Sequence, residues 1–547
     1  MALYVAGSAI LAIIGFGIYL LLFVGRRGRY LPPGNVEAPS LDVGELQHLI
    51  DWVQGLPHFR SLEMLTKFHR KEYISEWAKE YGGIYSVKFG PGTAIVLTDR
   101  RLVKELLDKK SSIFSGRPTS YVSGDIITSG DHLLVMDYGP KWRELRKLVH
   151  QDFAESVCER EYVKIQEAEA VQMLRDFVNA PEHYMLHPKR FSNSVVMSIL
   201  FGARTPSYTT PHMTRLYELL ENWSEVMEIG ATPPVDFFPF LKWVPERFLG
   251  HWVSRATKVK REMDSLYGDV VRSVIKRREE KGSKGSFMDK VLDKQGKLNL
   301  SPHQLYFLGG VAMEGGSDTS SSCILSFLKA MTCYPEVQKR AQAEIDAVMD
   351  QYRSPQWSDY SKLPYVSQVV KEAMRWRPVG PLGFPHALTE GKSIHGMFLP
   401  KGSIVILNIW GLHNDESRFP NPDKFDPDRY AGRTLLAPEY AVSADYESRD
   451  HYMYGTGRRL CPGIHLAERN LFLGMSKLLW AFSFEKEVDA NGRVMEPDQS
   501  YETGYSEGFL VCTKPFPCKI IPRSQKRVET IMKEFEQAGV EVFSKFD

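Results

Sequence analysis

The segment YGTGRRLCPGIHLAERNLF, residues 454–472, constrains the fold of this chain more than any other stretch. Pro462 suits the first position of a helix, because its missing N–H would be unpaired there. Cys461 is thereby predicted at a helix N-terminus, where free N–H groups stabilise a thiolate. The alternative is an ordinary buried cysteine. The apolar residues that predict this helix by their spacing are Ile464, Ala467, Leu471, Met475 and Leu478.

The residues around Cys461 favour a bulky, anionic partner. Gly457 and Gly463 let the backbone approach such a partner closely. Arg458 and Arg459 place cationic donors beside the thiolate, and one of them can pair with a carboxylate of the partner. A flat, anionic ligand that carries iron meets these conditions, and haem held by a proximal thiolate is such a ligand.

The pattern around Cys461 resembles the haem-binding signature of the cytochrome P-450 superfamily of haem-thiolate monooxygenases, as Tyr454-x-x-Gly457-x-Arg459-x-Cys461-x-Gly463. The family usually has Phe at the position of Tyr454, and a buried Tyr hydroxyl needs a hydrogen-bond partner. The resemblance implies a mainly α-helical cytochrome P-450 fold with small β-sheets, and haem b as the cofactor. It also implies that Cys461 is the axial ligand of the haem iron and that Gly463 contacts the cofactor.

A second group of chemically distinctive residues lies inside a predicted helix. Ser301–Gln304 forms a capping box with Pro at the first helical position, so a helix begins there. Gly315 and Gly316 follow, and each costs about 1 kcal/mol relative to Ala in a helix interior. A helix break at the surface is one interpretation. The stretch also resembles the family's oxygen-binding motif, which implies a distorted turn, Gly315 against the cofactor, and Asp318 and Thr319 as catalytic residues that deliver protons.

Haem also carries two propionates, which need cations or hydrogen-bond donors. Trp142 and Arg146 lie at i and i+4 after a Gly-Pro turn and resemble the Trp-x-x-x-Arg pair that binds propionates in the family. By the same resemblance, His386 and Arg459 complete the set of cofactor-binding residues. A purely structural role is the alternative for His386, a lone histidine.

Glu372 and Arg375 lie at i and i+3 of a predicted helix, a spacing that usually gives a weak surface pair. The segment Phe425-x-Pro427-x-Arg429 resembles the one that adds a second arginine to a buried Glu–Arg–Arg cluster in the family. The resemblance therefore implies that these three charged residues hold the core on the cysteine side of the cofactor.

The N-terminus predicts a membrane anchor. Residues 2–24 contain no charged side chain, and three arginines follow by position 29. Such a stretch is long enough to span a bilayer, and the positive-inside rule places the rest of the chain in the cytosol. We expect a single-pass transmembrane helix over residues 1–25, one catalytic domain over residues 26–547, and a location in the endoplasmic reticulum membrane. A cleavable signal peptide is the alternative.

Composition and the remaining patterns narrow the function. The formal charge of +2 gives no global case for nucleic-acid binding. Six scattered cysteines without metal-ligand spacing favour a reducing compartment and argue against zinc. Short strands are predicted at Ile84–Phe89, Ala94–Leu97 and Ile404–Asn408, and a surface loop at Lys276–Ser286. Phe237–Trp243 is crowded with apolar residues and is either core or a patch that dips into a membrane.

The resemblance implies a monooxygenase that inserts one atom of O2 into a lipophilic small molecule and reduces the other to water. Electrons come from an NADPH-cytochrome reductase, with a small haem protein as a further candidate donor. The stretch from Tyr81 to Phe484 is closest to filamentous-fungal members that oxidise O-methylsterigmatocystin, which favours secondary metabolism and an aromatic polyketide over a terpenoid or alkaloid. The alternatives are a phenol-coupling oxidase, an isomerase, and a non-catalytic haem or sterol carrier.

Overall fold

The computed structural model describes residues 31–32, 71–89, 91–228 and 230–546. Within these residues the chain is mainly helical with small sheets, as predicted. The α-helices are α1 (Lys71–Tyr81), α2 (Arg100–Val103), α3 (Pro140–Asp152), α4 (Glu155–Val157), α5 (Val163–Asn179), α6 (His187–Phe201), α7 (Pro211–Met227), α8 (Trp252–Lys281), α9 (Phe287–Asp293), α10 (Gln295–Leu298), α11 (Pro302–Cys333), α12 (Pro335–Val348), α13 (Pro364–Trp376), α14 (Ile409–His413), α15 (Ala437–Val442), α16 (Ile464–Ala481) and α17 (Gln525–Glu541). Tighter and wider helical turns connect them; those used below are Lys104–Lys109, Tyr121–Ile127 and Gly457–Arg459.

The strands of the described residues form three small sheets. The strands are β1 (Ile84–Phe89), β2 (Gly92–Leu97), β3 (His386–Ala387), β4 (Lys392–Ile394), β5 (Met397–Leu399), β6 (Ile404–Leu407), β7 (Phe482–Glu485) and β8 (Lys519–Pro522). The largest sheet has the order β1-β2-β6-β3, with β2 and β6 parallel and the other neighbours antiparallel. The predicted hairpin and third strand are therefore present, with bounds that shift by one or two residues.

Helix α11 runs through the core and packs against α6, α8 and α16. The predicted capping box starts it, since the Ser301 hydroxyl accepts the Gln304 N–H at 3.2 Å. The helix continues without a break to Cys333, so the expected distorted turn is wrong. The reason is local: the hydroxyls of Ser317 and Thr319 donate to carbonyls one turn earlier, at 2.7 and 2.8 Å, and therefore do not compete with the helix.

Glu372, Arg375 and Arg429 form the predicted buried cluster. Arg375 donates from Nε and Nη2 to the two carboxylate oxygens of Glu372 at 2.7 and 2.8 Å. Arg429 Nε lies 3.5 Å from Glu372 Oε1. Arg375 also donates to the carbonyl of His413 at 2.9 Å, so the cluster joins α13 to α14. Removing one partner of such a buried pair typically costs about 3–5 kcal/mol.

One predicted loop is shorter than expected. Helix α8 continues to Lys281 and therefore covers the first half of the loop predicted over Lys276–Ser286. Gly282 then ends the helix with φ of +85°, and Ser286 begins α9 with a capping box. Two charged residues of the segment are not solvated as a loop would have them, because Arg277 and Arg278, on the last turns of α8, form ion pairs with the buried Asp289.

Two features bear on the predicted membrane association. The predicted transmembrane segment, residues 1–25, lies outside the described residues; no helix within them is long and apolar enough to cross a bilayer. Phe240 and Trp243 are 45% and 85% exposed, as a surface patch requires. Phe237 is different, because it packs against the core of the largest sheet. Phe248, five residues beyond the predicted patch in the sequence, is also exposed, at 67%.

Candidate functional site

Cys461 lies in a turn between the Gly457–Arg459 segment and α16. Its N–H donates to the Tyr454 carbonyl at 2.8 Å, which fixes the turn. Helix α16 begins at Ile464, with Gly463 as its cap, so the prediction of Pro462 as the first helical residue is wrong. The turn brings the Gly463 N–H onto the Cys461 sulfur. Burial raises the pKa of the Cys461 thiol, and this hydrogen bond and the nearby charge of Arg146 oppose the rise.

The two glycines of the cysteine segment have different roles. A Cβ at Gly457 would lie 2.0 Å from the carbonyl oxygen of Leu107, and Gly457 has φ of +63°. Gly457 is therefore needed for packing against the Lys104–Lys109 turn and does not make room for a partner, in contrast to the expectation. A Cβ at Gly463 would meet no described atom within 4 Å. The open side of the turn is thus at Gly463.

Three of the predicted propionate-binding residues lie together. The Arg459 guanidinium is 4.2 Å from the Trp142 ring centroid, and that of Arg146 is 5.8 Å from it. Trp142 is buried and donates from Nε1 to the Leu133 carbonyl at 3.1 Å. Arg146 donates to the carbonyl of Leu460, directly before Cys461. Helix α3 therefore holds a tryptophan and an arginine against the cysteine segment, as their i, i+4 spacing predicted.

The fourth predicted residue, His386, joins this group through Arg117. The buried His386 ring donates from Nδ1 to the Phe114 carbonyl at 2.7 Å. Burial, with Arg117 and Arg459 nearby, lowers the pKa of His386 to about 3. The single proton of the neutral ring is then on Nδ1, so Nε2 has none to donate. Nε2 donates to a propionate only if the negative charge of that propionate stabilises the protonated form of His386.

Arg117 is a site residue that the sequence reasoning missed. It donates to the carbonyls of Leu134, Phe384 and Pro385 at 2.8, 3.0 and 2.7 Å. Burial and the charge of Arg459 lower the pKa of Arg117 well below its usual value. A single arginine in a predicted loop carries no spacing signal, and only its contacts with residues 267 or more positions away reveal it.

The half-buried arginines of this cluster lack an ion-pair partner. Neither Arg117, Arg146 nor Arg459 forms an ion pair with a carboxylate of the described residues. Asp137, whose charge acts on Arg117 and Arg459, accepts the backbone N–H groups of Arg117 and Tyr138 instead. Three guanidinium groups without a carboxylate beside them fit a ligand that carries two carboxylates on one edge. The propionate edge of haem b is such a ligand.

Helix α11 supplies an open face. Gly315 is exposed although it lies in the middle of a largely buried helix, and a Cβ there would meet no described atom within 4 Å. The hydroxyl of Thr319 lies on the same face and donates to the Gly315 carbonyl at 2.8 Å. Asp318 lies toward α6: burial raises its pKa, and the charge of Lys189 and the hydroxyl of Ser322 oppose that rise. The structure thus groups Gly315 with Thr319 and separates Asp318 from them.

A cysteine in a glycine-rich turn, a cluster of cations without carboxylate partners, and an open glycine face together fit a haem-thiolate oxygenase. Comparison with known proteins leads to the same class. A profile of the family described as Cytochrome P-450 matches residues 53–503. The cytochrome P-450 monooxygenase macC of Penicillium terrestre is 52% identical, covering 100% of this chain and 99% of the relative. The monooxygenase yanC of Aspergillus niger is 53% identical over 95% of each chain.

The chain therefore belongs to the cytochrome P-450 family and is a monooxygenase, which uses haem b and receives electrons from a reductase partner. A zebra fish cytochrome P-450 solved with abiraterone has the same fold, with a TM-score of 0.64 and 22% identity, covering 83% of this chain and 100% of that one. The predictions of family, enzyme class and cofactor are confirmed. The roles predicted for individual site residues stay predictions.

Proposed function

We propose that this protein oxygenates a lipophilic small molecule of fungal secondary metabolism, with an aromatic polyketide favoured over a terpenoid or alkaloid. One atom of O2 enters the substrate and the other leaves as water, which consumes two electrons and two protons. An NADPH-dependent reductase delivers the electrons. The proposal is supported by the fungal relatives described above, which are near 50% identical over almost the whole chain.

The open face of α11 is the observation that carries the substrate class. Val311 and Ala312, one turn before Gly315, are partly exposed on the same side of the helix as Gly315 and Thr319. This surface is apolar except for one hydroxyl, so it favours a lipophilic ligand. Haem b bound at Cys461 supplies the oxygen activation.

The chain's own residues then bind and deliver protons. Arg117, Arg146 and Arg459 bind the propionates, which neutralises their clustered positive charge. The Thr319 hydroxyl holds a proton at the open face, and Asp318 brings replacement protons from the side of α6 on which Lys189 lies. Positioned proton transfer of this kind contributes about 10²–10⁴-fold to rate.

The proposed location is the endoplasmic reticulum membrane, with residues 1–25 as a single-pass anchor and the catalytic domain in the cytosol. Exposed aromatic side chains at Phe240, Trp243 and Phe248 support a second contact with the membrane. Deleting residues 1–25 should release part of the protein from microsomes. Adding Trp243→Glu and Phe248→Glu should release more, while Tyr352→Glu, at an exposed aromatic elsewhere, should not. Full release by the deletion alone would contradict the second contact.

The test of function is a binding screen followed by turnover. Holoenzyme is titrated with aromatic polyketides and terpenoids, and compounds that shift the haem spin state are incubated with NADPH, reductase and isotopically labelled O2. A product that carries one labelled atom supports the proposal. A coupled product without the label indicates a phenol-coupling oxidase, conversion without NADPH indicates an isomerase, and binding without conversion indicates a carrier.

A further inference from the structure

A second buried acid lies beside the open face of α11. Glu314 directly precedes Gly315, and its side chain is about nine-tenths buried. Its Oε2 lies 3.1 Å from Nε2 of His132, which is fully buried in the loop between the Tyr121–Ile127 turn and α3. The bond joins residues 182 positions apart, and neither residue belongs to the haem-binding or proton-delivery groups described above.

The hydrogen bonds of His132 determine its tautomer. The Leu134 N–H donates to His132 Nδ1 at 3.3 Å, so this nitrogen has no proton. The ring proton is then on Nε2, which donates to Oε2 of Glu314. One carboxylate oxygen of Glu314 is therefore satisfied by a donor whose orientation is fixed.

The other oxygen, Oε1, is buried and accepts a hydrogen bond from no residue that the structure describes. The histidine that holds Glu314 is itself packed among aromatic side chains, since its ring lies 6.0 Å from the ring of Trp223 and 6.3 Å from that of Phe307. A buried acceptor in such surroundings is costly to leave unpaired. The site thus lacks one donor.

We propose that Glu314 determines specificity by accepting, at Oε1, a hydrogen bond from a hydroxyl group of the substrate bound at the open face of α11. The inference rests on the proposed function for the presence of a lipophilic substrate. A hydroxyl has one proton to donate, which matches the single unpaired acceptor, whereas an ammonium group brings three N–H donors and a charge. The substrate class is therefore an aromatic or alicyclic alcohol or phenol. Val311, at the open face, lies three residues before Glu314 and is therefore its neighbour on the helix surface, so this bond would hold the carbon skeleton at the Val311 edge of that face.

The test compares 1-naphthol with 1-methoxynaphthalene, in which a methyl group replaces the hydroxyl proton and removes the donor. Dissociation constants are measured by equilibrium dialysis on the holoenzyme, without NADPH or reductase. The wild type should bind naphthol more tightly than its ether by about tenfold or more, the usual effect of one hydrogen bond to a charged group. Glu314→Met, of similar size and without an acceptor, should reduce the ratio to about one. Glu314→Gln should give an intermediate ratio, because a neutral acceptor forms a weaker bond.

The control is Glu336→Met, the same change at an exposed position of α12, which should keep the wild-type ratio. The ferrous–CO spectrum verifies that each variant retains haem in a native site, and Glu314→Gln decides the question if Glu314→Met fails to fold. A wild-type ratio near one, or an unchanged ratio in the Glu314 variants, would overturn the proposal; the first result also indicates that buried water satisfies Oε1. Selective binding of naphthol without oxygenation of any compound would refute the proposed function and leave this inference standing.

Discussion

Gly315 and Gly316 are adjacent in α11, yet the structure predicts opposite effects when each is replaced by alanine. A Cβ at Gly315 would meet nothing within 4 Å among the described atoms, whereas one at Gly316 would lie 2.2 Å from Val196 Cγ1. Gly315→Ala should therefore stabilise the protein by about 0.4–1 kcal/mol, since alanine has less conformational freedom to lose on folding. Gly316→Ala should destabilise it by about 1–3 kcal/mol, because the β-branched Val196 cannot rotate away easily within a helix.

The assay is thermal unfolding of the holoenzyme at one scan rate, with haem content measured in the same samples. Unfolding entropy of about 2.1 cal/mol/K per residue gives on the order of 1.1 kcal/mol/K for the whole chain, so 1 kcal/mol shifts the midpoint by about 1 °C. The two variants should therefore differ by about 1–4 °C. Adding Val196→Ala to Gly316→Ala should cost less than the sum of the single changes, because it removes the clash. Equal midpoints for the two variants at full haem content would refute the assignment of open and packed positions.

Three further results are expected. Cys461→His should abolish the red-shifted Soret band of the ferrous–CO complex even where haem is retained, and a wild-type band would exclude Cys461 as the ligand. Thr319→Ala should keep haem and NADPH consumption while diverting electrons to hydrogen peroxide. Asp318→Asn should instead slow turnover and release less peroxide. The amount of product formed per NADPH consumed, measured with a parallel peroxide assay, distinguishes the two variants. Arg459→Met should weaken haem retention against apomyoglobin by about tenfold or more, since one charge-assisted bond to a propionate is worth about 1.5–3 kcal/mol; the same loss in Arg101→Met, an exposed arginine, would contradict a specific role.

Much of the site could be predicted because its signals are local. The helix start at Ser301 depends on a side chain and an N–H three residues apart, and the structure shows that bond. Trp142 and Arg146 share a helix face because of their i, i+4 spacing, and the structure places both guanidinium and ring against the cysteine segment. The position of Cys461 before an apolar helix depends likewise on residues close in sequence.

Other local predictions were wrong where several local preferences compete. Pro462 is compatible with a first helical position, but the backbone of Pro462 and Gly463 instead forms a turn that directs an N–H to the sulfur. Serine, threonine and two adjacent glycines predicted a distorted helix at Gly315. The hydroxyls instead bond to carbonyls one turn earlier, and α11 stays regular.

By itself the sequence determined the cysteine segment, the central helix and the family, because these depend on residue types at short, fixed spacings. Only the tertiary structure decided which residues complete the site. Arg117 joins the cation cluster through carbonyls more than 260 positions away, Glu314 meets His132 across 182 positions, and the two glycines differ through Val196 alone. Burial, unpaired charge and steric contact are properties of residues brought together by the fold, and the spacing of residues along one chain does not contain them.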